Sequence, residues 1–458
     1  MKRGRSAMGT GGRRRRSPNA REMALQILLA AEGRGAYSDR LLDTKLREAN
    51  LKPADSALVT ALVQGTLRRR ALLDHHLNAF TGGGIDGIPA PIRAALRLGA
   101  FQILCLTRIP ESAAVDESVE LAKRYGHPGT AGLVNAVLRR LARGDRAPLP
   151  DPAVDPVAAL AVIHSHPAWL VARWVGRYGA EEAAKLMEAD NTEPYVCVRP
   201  NLHRIRLAAL VEALRAEGHS TTPAPNGGPV LIVERGFVAA RSPLFRQGLL
   251  TLQDEAESVV VSILDPKPGD RVLDLCAAPG GKTSQIAERI APGGILVALE
   301  RHPSRARALR ENLIDRLRLP EVGVVCGDGA HPPFAKPFDR VLVDAPCSGL
   351  GVLRRRADAR WRKDEASILE LAGTQRGLLD GAAPLVRAGG VLVYSVCSLE
   401  PEETDEIVES FLKTHPEFGR EPVRPYLPSG FQSAEPDFRA YPHRHGTDGV
   451  FAARFVRR

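Results

Sequence analysis

The stretch Arg271-Val-Leu-Asp-Leu-Cys-Ala-Ala-Pro-Gly-Gly-Lys-Thr283, running on into Ser284–Ile290, constrains this chain more than any other. Val272, Leu273 and Leu275 read as a buried parallel strand; Pro279, Gly280 and Gly281 break it, and helical spacing resumes from Lys282. Strand, glycine turn and helix in that order aim a helix N-terminus at the carboxyl edge of a sheet. There the glycines let a ligand approach the backbone, and the free N–H groups attract a carboxylate or phosphate. The stretch is therefore a small-molecule site. A phosphate-cradling NTPase loop would need glycine at position 276 to accompany Gly281-Lys282-Thr283, and Cys276 stands there. The dinucleotide pattern G-x-G-x-x-G is not met either. What remains is a nucleoside with an anionic end but no pyrophosphate, and S-adenosyl-L-methionine fits that description.

From about residue 241 onward strands and helices alternate, so a parallel sheet with helices on both faces is expected over 241–458. Gly294–Glu300 is its second strand, Val322–Asp328 the third, Phe338–Asp344 the fourth and Gly390–Val396 the fifth. Glu300 lies about 20 residues past the glycine turn, where a doubly wound sheet places the carboxylate that holds ribose hydroxyls. Capping of the following helix is the plainer reading of any one of Glu300, Asp328 and Asp344. It suits three strand-ending acids together less well, because acids inside a sheet need partners whereas acids at its carboxyl edge line a ligand crevice.

Two cysteines decide the chemistry. Cys347 follows the fourth strand in Asp344-Ala-Pro-Cys-Ser-Gly349, and Cys397 follows the fifth in Tyr394-Ser-Val-Cys-Ser398. If those strands are neighbours, both thiols project into the ligand crevice. A pair of thiols beside a methyl donor suits methylation of a pyrimidine at carbon 5, which in cytosine becomes nucleophilic only after a thiolate adds to C6. One cysteine is then the nucleophile and a second group assists proton removal or release, with Asp344 placed to hydrogen-bond N3. Cys105, Cys276 and Cys326 lie in apolar or tightly turned segments and read as structural, and Cys197 as a residue packing one face of a sheet. The cysteines form no CxxC pair, and the histidines suggest no metal site by spacing.

Ahead of this region, Ala20, Met23, Ala24, Ile27, Leu28 and Ala31 share one helical face. Further helices are expected at Ser38–Ala49, Pro53–Arg69, Ala71–Phe80, Pro91–Leu106, Ser112–Lys123 and Ala131–Leu141, which makes residues 19–142 an all-α domain. The proline-rich stretch 143–165 reads as a linker. Residues 166–240 read as a small α/β unit, with helices Pro167–Tyr178, Glu181–Ala189 and Leu207–Glu217 and strands Tyr195–Arg199 and Val230–Glu234. The clusters Arg68–Arg70 and Arg139–Arg140 are either RNA contacts or cations favoured near helix C-termini by the dipole.

Several of these stretches resemble one family. Ala95-Leu-Arg-Leu-Gly-Ala-Phe-Gln-Ile-Leu104 and Gly132-Leu-Val-Asn-Ala-Val-Leu-Arg-Arg140 are similar to the NusB-like helical RNA-binding domain, and 166–240 to an RRM-like subdomain. Leu275–Thr283, Asp344–Gly349 and Tyr394–Ser398 look like the cofactor and two-cysteine motifs of RNA cytosine-C5 methyltransferases. Together they resemble the RsmB (Sun) type over residues 19–458. The resemblance implies a Rossmann-like, S-adenosyl-L-methionine-dependent domain that methylates carbon 5 of a cytosine in 16S ribosomal RNA, of the cytosine 967 type, as free RNA or in an assembling small subunit. It assigns Cys397 as nucleophile and Cys347 as the group assisting release. DNA cytosine methyltransferases use their Pro-Cys cysteine as nucleophile, so these roles come from the resemblance and not from spacing. Cofactor contacts carry over to Cys276, Ala277, Ala278, Pro279, Gly280, Gly281, Lys282, Glu300, Asp328 and Asp344. Glu300 stands where the family often has Asp, and Arg356–Trp361 and Val450 also depart from its usual residues. A binding-only RNA factor gives no reason for both cysteines and all three acids, and an oxidoreductase or NTPase needs the glycine patterns not met here.

Net charge is +10, and residues 1–16 hold seven Lys or Arg and no acid, so residues 1–18 are expected to be a disordered basic tail. With no run of eighteen apolar residues the chain reads as soluble and cytoplasmic, with no membrane and no obligate protein partner evident. Arg354–Arg356 with Arg360–Lys363 is expected to be a basic loop that seats RNA beside the catalytic edge. Because phosphate contacts release counterions, deleting residues 1–16 should lower both RNA affinity and the steepness of its salt dependence, while turnover at saturating RNA holds. Filter binding across a salt series measures this, and an unchanged slope returns the tail to a merely solubilising role.

Overall fold

The computed structural model describes residues 19–33, 37–49, 51–234 and 236–458. The tail expected over 1–18 lies outside the described residues. The chain divides into two compact units, 1–165 and 166–458.

The first unit is helical: α1 (Ala20–Gly33), α2 (Ser38–Glu48), α3 (Pro53–Arg68), α4 (Arg70–Phe80), α5 (Ala90–Cys105), α6 (Glu111–Tyr125), α7 (Pro128–Ala142) and α8 (Pro156–Ile163). Helix α5 is its centre and is buried on nearly every side from Ile92 to Ile103. Gly99 makes that possible: a Cβ there would come within 2.3 Å of Leu138 in α7 and 2.7 Å of Ser118 in α6. The one charge α5 buries, Arg97, is held by Asp74 through two hydrogen bonds of 2.7 and 2.8 Å, the paired arrangement a buried guanidinium needs. Arg70 opens α4 and faces Asp74 at 3.7 Å, so it does not sit at a helix C-terminus. Arg140 is in the last turn of α7, paired with Asp145 and stacked over Phe80.

Residues 143–165 differ from the expected linker, because α8 forms there. Asp155 caps it through the Ala158 N–H at 2.9 Å and Pro156 occupies its first turn. The segment is fastened to α4, with the Ser165 hydroxyl accepting from Ala71 N and the Pro148 carbonyl lying 2.9 Å from His75 Nε2. Val157–Ile163 is apolar throughout, so it carries no period by which a helix could be recognised.

The second unit begins with α9 (Ala168–Tyr178) and α10 (Ala180–Asp190), followed by β1 (Val196–Pro200), α11 (Leu207–Ala216), β2 (Thr221–Pro223), β3 (Leu231–Val233), α12 (Pro243–Arg246) and β4 (Leu250–Leu252). Its four strands form an antiparallel sheet in the order β2-β3-β1-β4. Strands β2 (Thr-Thr-Pro) and β4 (Leu-Thr-Leu) are three residues long and, unlike the apolar run around β3, too short and too polar to show a pattern. Then come α13 (Glu255–Leu264), β5 (Arg271–Asp274), α14 (Gly281–Ile290), β6 (Ile295–Glu300), α15 (Pro303–Arg310), β7 (Val322–Cys326), β8 (Phe338–Asp344), α16 (Glu365–Ala382), β9 (Val386–Val396), α17 (Asp405–Thr414), β10 (Phe418–Glu421), β11 (Phe438–Ala440), α18 (Pro442–His445) and β12 (Val450–Arg457).

The large sheet has the order β10-β12-β9-β8-β5-β6-β7. Strands β7, β6, β5, β8 and β9 are parallel as expected, but β12 runs antiparallel to both β9 and β10. The sheet is thus mixed and not wholly parallel. Phe451, Ala452, Ala453 and Phe455 in β12 are fully buried, because that strand is covered on both faces inside the sheet. The chain leaves β5 for β6 on one side and continues at β8 on the other, which opens a crevice at the carboxyl ends of β5 and β8. Among the described residues no helix is long and apolar enough to cross a membrane.

Arg199 of β1 joins the small sheet to α14. Its guanidinium donates to Gln253 Oε1 at 2.9 Å and Ser284 Oγ at 2.6 Å and is paired with Glu288, both side chains being almost wholly buried. Burial pushes the Glu288 carboxyl up even with Arg199 beside it. Arg199→Leu should leave that carboxyl unpaired and destabilise the second unit by about 3–5 kcal/mol. Urea unfolding followed by tryptophan fluorescence reads the loss, and a change below about 1 kcal/mol would assign the pair no structural weight.

Candidate active site

The two thiols meet because β8 and β9 are neighbours in register, Asp344 opposite Ser395. Just past their ends the sulfur atoms of Cys347 and Cys397 lie 3.1 Å apart, each thiol free. A disulfide would bring them to about 2.0 Å, so this is a hydrogen-bonded pair. Gly351 donates to the Cys397 carbonyl at 3.0 Å, and Gly449, just before β12, donates to the Gly351 carbonyl at 2.7 Å. A Cβ on Gly351 would come within 2.1 Å of the Gly449 oxygen and 2.9 Å of the Cys397 oxygen, so only glycine fits between them. The hydrogen bond with Cys397, and then burial, hold the Cys347 thiol well above the usual thiol range. Cys347 therefore keeps its proton near neutral pH.

The glycine turn follows β5 as expected. Gly280 has φ of +100°, and Gly281 opens α14, whose free N–H groups face the crevice edge. The Asn312 side chain donates to the Pro279 carbonyl at 2.7 Å and Arg305 to the Ala278 carbonyl at 3.0 Å, which fixes the turn. Lys282 reaches back to Asp344 at 2.8 Å and Glu257 at 3.6 Å. Burial alone would lower its pKa, but the two carboxylates outweigh that and raise it, so the ammonium charge is secure. Asp344 completes its shell by accepting from the Ser395 hydroxyl at 2.6 Å. Burial, reinforced by the carboxylates of Asp274 and Asp344, pushes the half-buried Cys276 thiol up and leaves it unreactive.

The strand-ending acids are placed differently from one another. Glu300 is nearly fully buried at the end of β6, accepting from His302 N at 2.9 Å and facing Arg305 at 3.3 Å. Asp328 stands two residues beyond the end of β7, half exposed, accepting from Ala330 N and lying 3.3 Å from His331. Both acids thus also satisfy backbone donors of the turn that follows. Glu300, Asp344, Lys282 and the glycine turn share the carboxyl edge of β5, β6 and β8. A buried carboxylate and a helix N-terminus at one edge are groups that could hold a ribose diol and an anionic end.

Other expectations change. Arg354 and Arg360 are buried and do not line a basic surface: Arg354 donates to the Gly446 carbonyl at 2.6 Å, and Arg360 to Asn191 Oδ1 at 2.9 Å. Arg355 is clamped between Asp254 at 2.7 Å and Asp448 at 2.6 Å. These guanidiniums bind the loop after Cys347 to the rest of the unit, which an arginine count could not distinguish from a phosphate-facing patch. Cys105 and Cys326 are exposed and not packed inside, while Cys197 is buried in β1 as expected. Glu257 of α13 and Gln375 of α16 escaped the sequence reading because they come from helices distant in the chain, and Glu403 and Tyr394, though near Cys397 in sequence, carry no local sign that they are bonded beneath Cys347.

Residues 261–456 match the family described as 16S rRNA methyltransferase RsmB/F, residues 18–143 the NusB family, and residues 166–239 the RsmF/B-like ferredoxin-like domain. The probable ribosomal RNA small subunit methyltransferase B of Bacillus subtilis is 36% identical over 445 residues, covering 94% of this chain and 97% of that protein. The ribosomal RNA small subunit methyltransferase B of Yersinia pestis is 33% identical, covering 90% and 92%. Among solved structures, that of PH0851 superposes with a TM-score of 0.81 at 26% identity over 95% of this chain and 98% of its own. NSun6 from Pyrococcus horikoshii, solved with the S-adenosylmethionine analogue SFG, shares the fold at a TM-score of 0.58 and 23% identity, covering 64% of this chain and 99% of its own.

Asp274, at the end of β5, is almost wholly buried and accepts from the Thr283 hydroxyl at 2.7 Å. Burial raises its pKa to about 7, against the Thr283 hydrogen bond. The native state therefore holds a proton that the unfolded chain releases near pH 4, and Asp274 costs stability as pH rises from about 4 through 7. Asp274→Asn should gain stability relative to the parent between about pH 5 and pH 8. Denaturation at both pH values measures it; an identical difference at each would show that Asp274 does not titrate in this window.

Proposed function

The chain belongs to the RsmB/F family of ribosomal RNA small-subunit methyltransferases, and from that premise we propose that it methylates carbon 5 of a cytosine in 16S ribosomal RNA, of the cytosine 967 type, through a covalent bond from Cys397 to C6. The observation that carries this reading is the pair of free thiols 3.1 Å apart at the edge of the cofactor turn. S-adenosyl-L-methionine supplies, when bound, an electrophilic methyl group on a sulfonium sulfur. The residues to hold it are Cys276–Lys282 at its charged end, Glu300 at the ribose hydroxyls, Asp328 at the adenine edge and Asp344 between cofactor and base. Its substrate is free 16S RNA or an assembling small subunit, in the cytoplasm.

Cys397 acts as nucleophile: its thiol gives up its proton to solvent, the sulfur bonds to C6, the C5=C6 π pair moves onto C5, and C5 would bond the methyl carbon while the S–CH3 pair stays with the donor sulfur. Asp344, held by Lys282 and the Ser395 hydroxyl, takes the part of accepting from N3 once N3 has gained a proton from solvent, which favours addition. The C5 proton then leaves to a base, its C–H pair restores C5=C6, and the C6–S pair returns to sulfur. Cys347 assists this last step, since a thiol that keeps its proton can donate it to the departing sulfur. The reverse assignment, with the Pro-Cys thiol as nucleophile, is the order of the DNA cytosine methyltransferases, and the resemblance to the RsmB (Sun) type is what speaks against it.

Single-turnover reactions with each cysteine replaced test the roles. Cys397→Ser should be inactive and leave RNA unattached, because a hydroxyl stays protonated near neutral pH. Cys347→Ala should transfer the methyl group and then hold the RNA in a complex that survives denaturing electrophoresis. A stable complex with Cys397→Ser and none with Cys347→Ala would reverse the roles.

A further inference from the structure

The loop that carries Cys347 is held from beneath by a carboxylate to which the reaction above gives no part. Glu403 is fully buried in the short turn Pro401–Glu403 that follows the Cys397 strand. One of its oxygens accepts from Ser348 N at 2.7 Å and from Gln375 Nε2 at 3.1 Å, and the other from the Ser348 hydroxyl at 2.5 Å. Gln375 also donates to the Pro346 carbonyl at 3.0 Å. Ser348 Oγ in turn lies 3.3 Å from Ser398 Oγ. Ser348 directly follows Cys347 and Ser398 directly follows Cys397, so one carboxylate governs the residue after each sulfur. The Tyr394 hydroxyl, 2.7 Å from the Glu403 carbonyl and 2.9 Å from Gln375 Oε1, fixes the turn and the glutamine together.

These hydrogen-bond partners of Glu403 are all neutral, although a buried carboxylate is expensive without a cation. A neutral amide would be cheaper to bury, but it would set its own N–H group against the donors of Ser348 and Gln375. We infer that Glu403 is a positioning residue for the two-cysteine pair, holding Cys347 where its proton reaches the Cys397 sulfur as that sulfur leaves C6. The inference rests on the roles proposed above for the two cysteines. In the step it serves, the C6–S electron pair goes to the Cys397 sulfur, which takes the Cys347 proton. The C5 proton passes to water, and the Cys347 thiolate regains a proton from solvent. The Glu403 charge also adds to the Cys397 hydrogen bond and to burial in keeping Cys347 protonated. The other titratable groups facing the pair are Lys282, Asp344 and Tyr394.

The test uses the full-length protein with 16S RNA and S-adenosylmethionine. Glu403→Gln should bind the cofactor as the parent does and transfer the methyl group in the first turnover. It should then release RNA more slowly by roughly tenfold to a hundredfold, with the covalent complex visible on a denaturing gel. Alkylation of Cys347 by iodoacetamide, read by peptide mass spectrometry in a Cys397→Ala background, should shift to lower pH when Glu403→Gln is added. If Glu403→Gln does not fold, Ser348→Ala, which removes the hydroxyl link and keeps the carboxylate, takes its place and should slow release likewise. Release at the parental rate with an unmoved alkylation profile overturns the inference, as does an equal loss of cofactor binding, transfer and release. If Cys347→Ala itself accumulates no complex, the fault lies with the role proposed for Cys347; if it does and Glu403→Gln does not, the fault lies with Glu403 alone.

Discussion

The site depends on one pairing, the parallel ladder between β8 and β9. Successive backbone hydrogen bonds hold Val343 opposite Tyr394 and Asp344 opposite Ser395, and a strand that slipped by one residue would turn every side chain to the other face. With that register set, the loops leaving the two strands carry Cys347 and Cys397 to within 3.1 Å. The same register brings the Ser395 hydroxyl to Asp344. Burial on both faces makes the register costly to lose, since Val341, Leu342, Val343, Leu392, Val393 and Tyr394 are all fully buried.

Charge at the carboxyl edge is arranged around this ladder. Lys282 lies between Asp344 and Glu257, and the cation relieves what would otherwise be acid crowding near the buried Asp274. Lys282 comes from the helix that the glycine turn initiates, Asp344 from β8 and Glu257 from α13. The glycine turn and the strand leading to the thiols are thereby tied by an ion pair as well as by the sheet. Farther out, Arg355 between Asp254 and Asp448, and Arg199 on Glu288, attach the small α/β sheet and the last strand to the same framework. Positive charge in the loop after Cys347 serves cohesion here, with Arg354 and Arg360 bonded to carbonyl and amide oxygens inside the protein.

Much of this was legible in advance, and the elements show why. Helices α1 to α7 of the first unit were recognisable because apolar residues recur in them at helical spacing, with glycine or proline in most of the loops between them. The five parallel strands were recognisable as short runs rich in Val, Leu and Ala, which burial inside the sheet demands of β5, β8 and β9 most of all. Where those signals fail, so does the reading. In α8 an apolar helix has no period, and β2 and β4 are too short for one. Nothing in Val450–Arg457 states its direction, which follows only from the chain's return alongside β9.

By itself the sequence determined the first seven helices, the five parallel strands in their order, the glycine turn at Cys276–Lys282 and the two cysteines as candidates for covalent chemistry. Each of these is a local pattern, set by the spacing of side chains within a dozen residues. Tertiary structure alone decided which strands are neighbours, that the last strand enters the sheet antiparallel, and that Cys347 lies against Cys397 with Glu403 beneath it. It also decided that Arg354 and Arg360 are interior and Cys105 and Cys326 exposed. The reason is physical: pairing, burial and the electrostatics of a thiol depend on residues fifty or more positions away, and one-dimensional spacing does not carry that proximity.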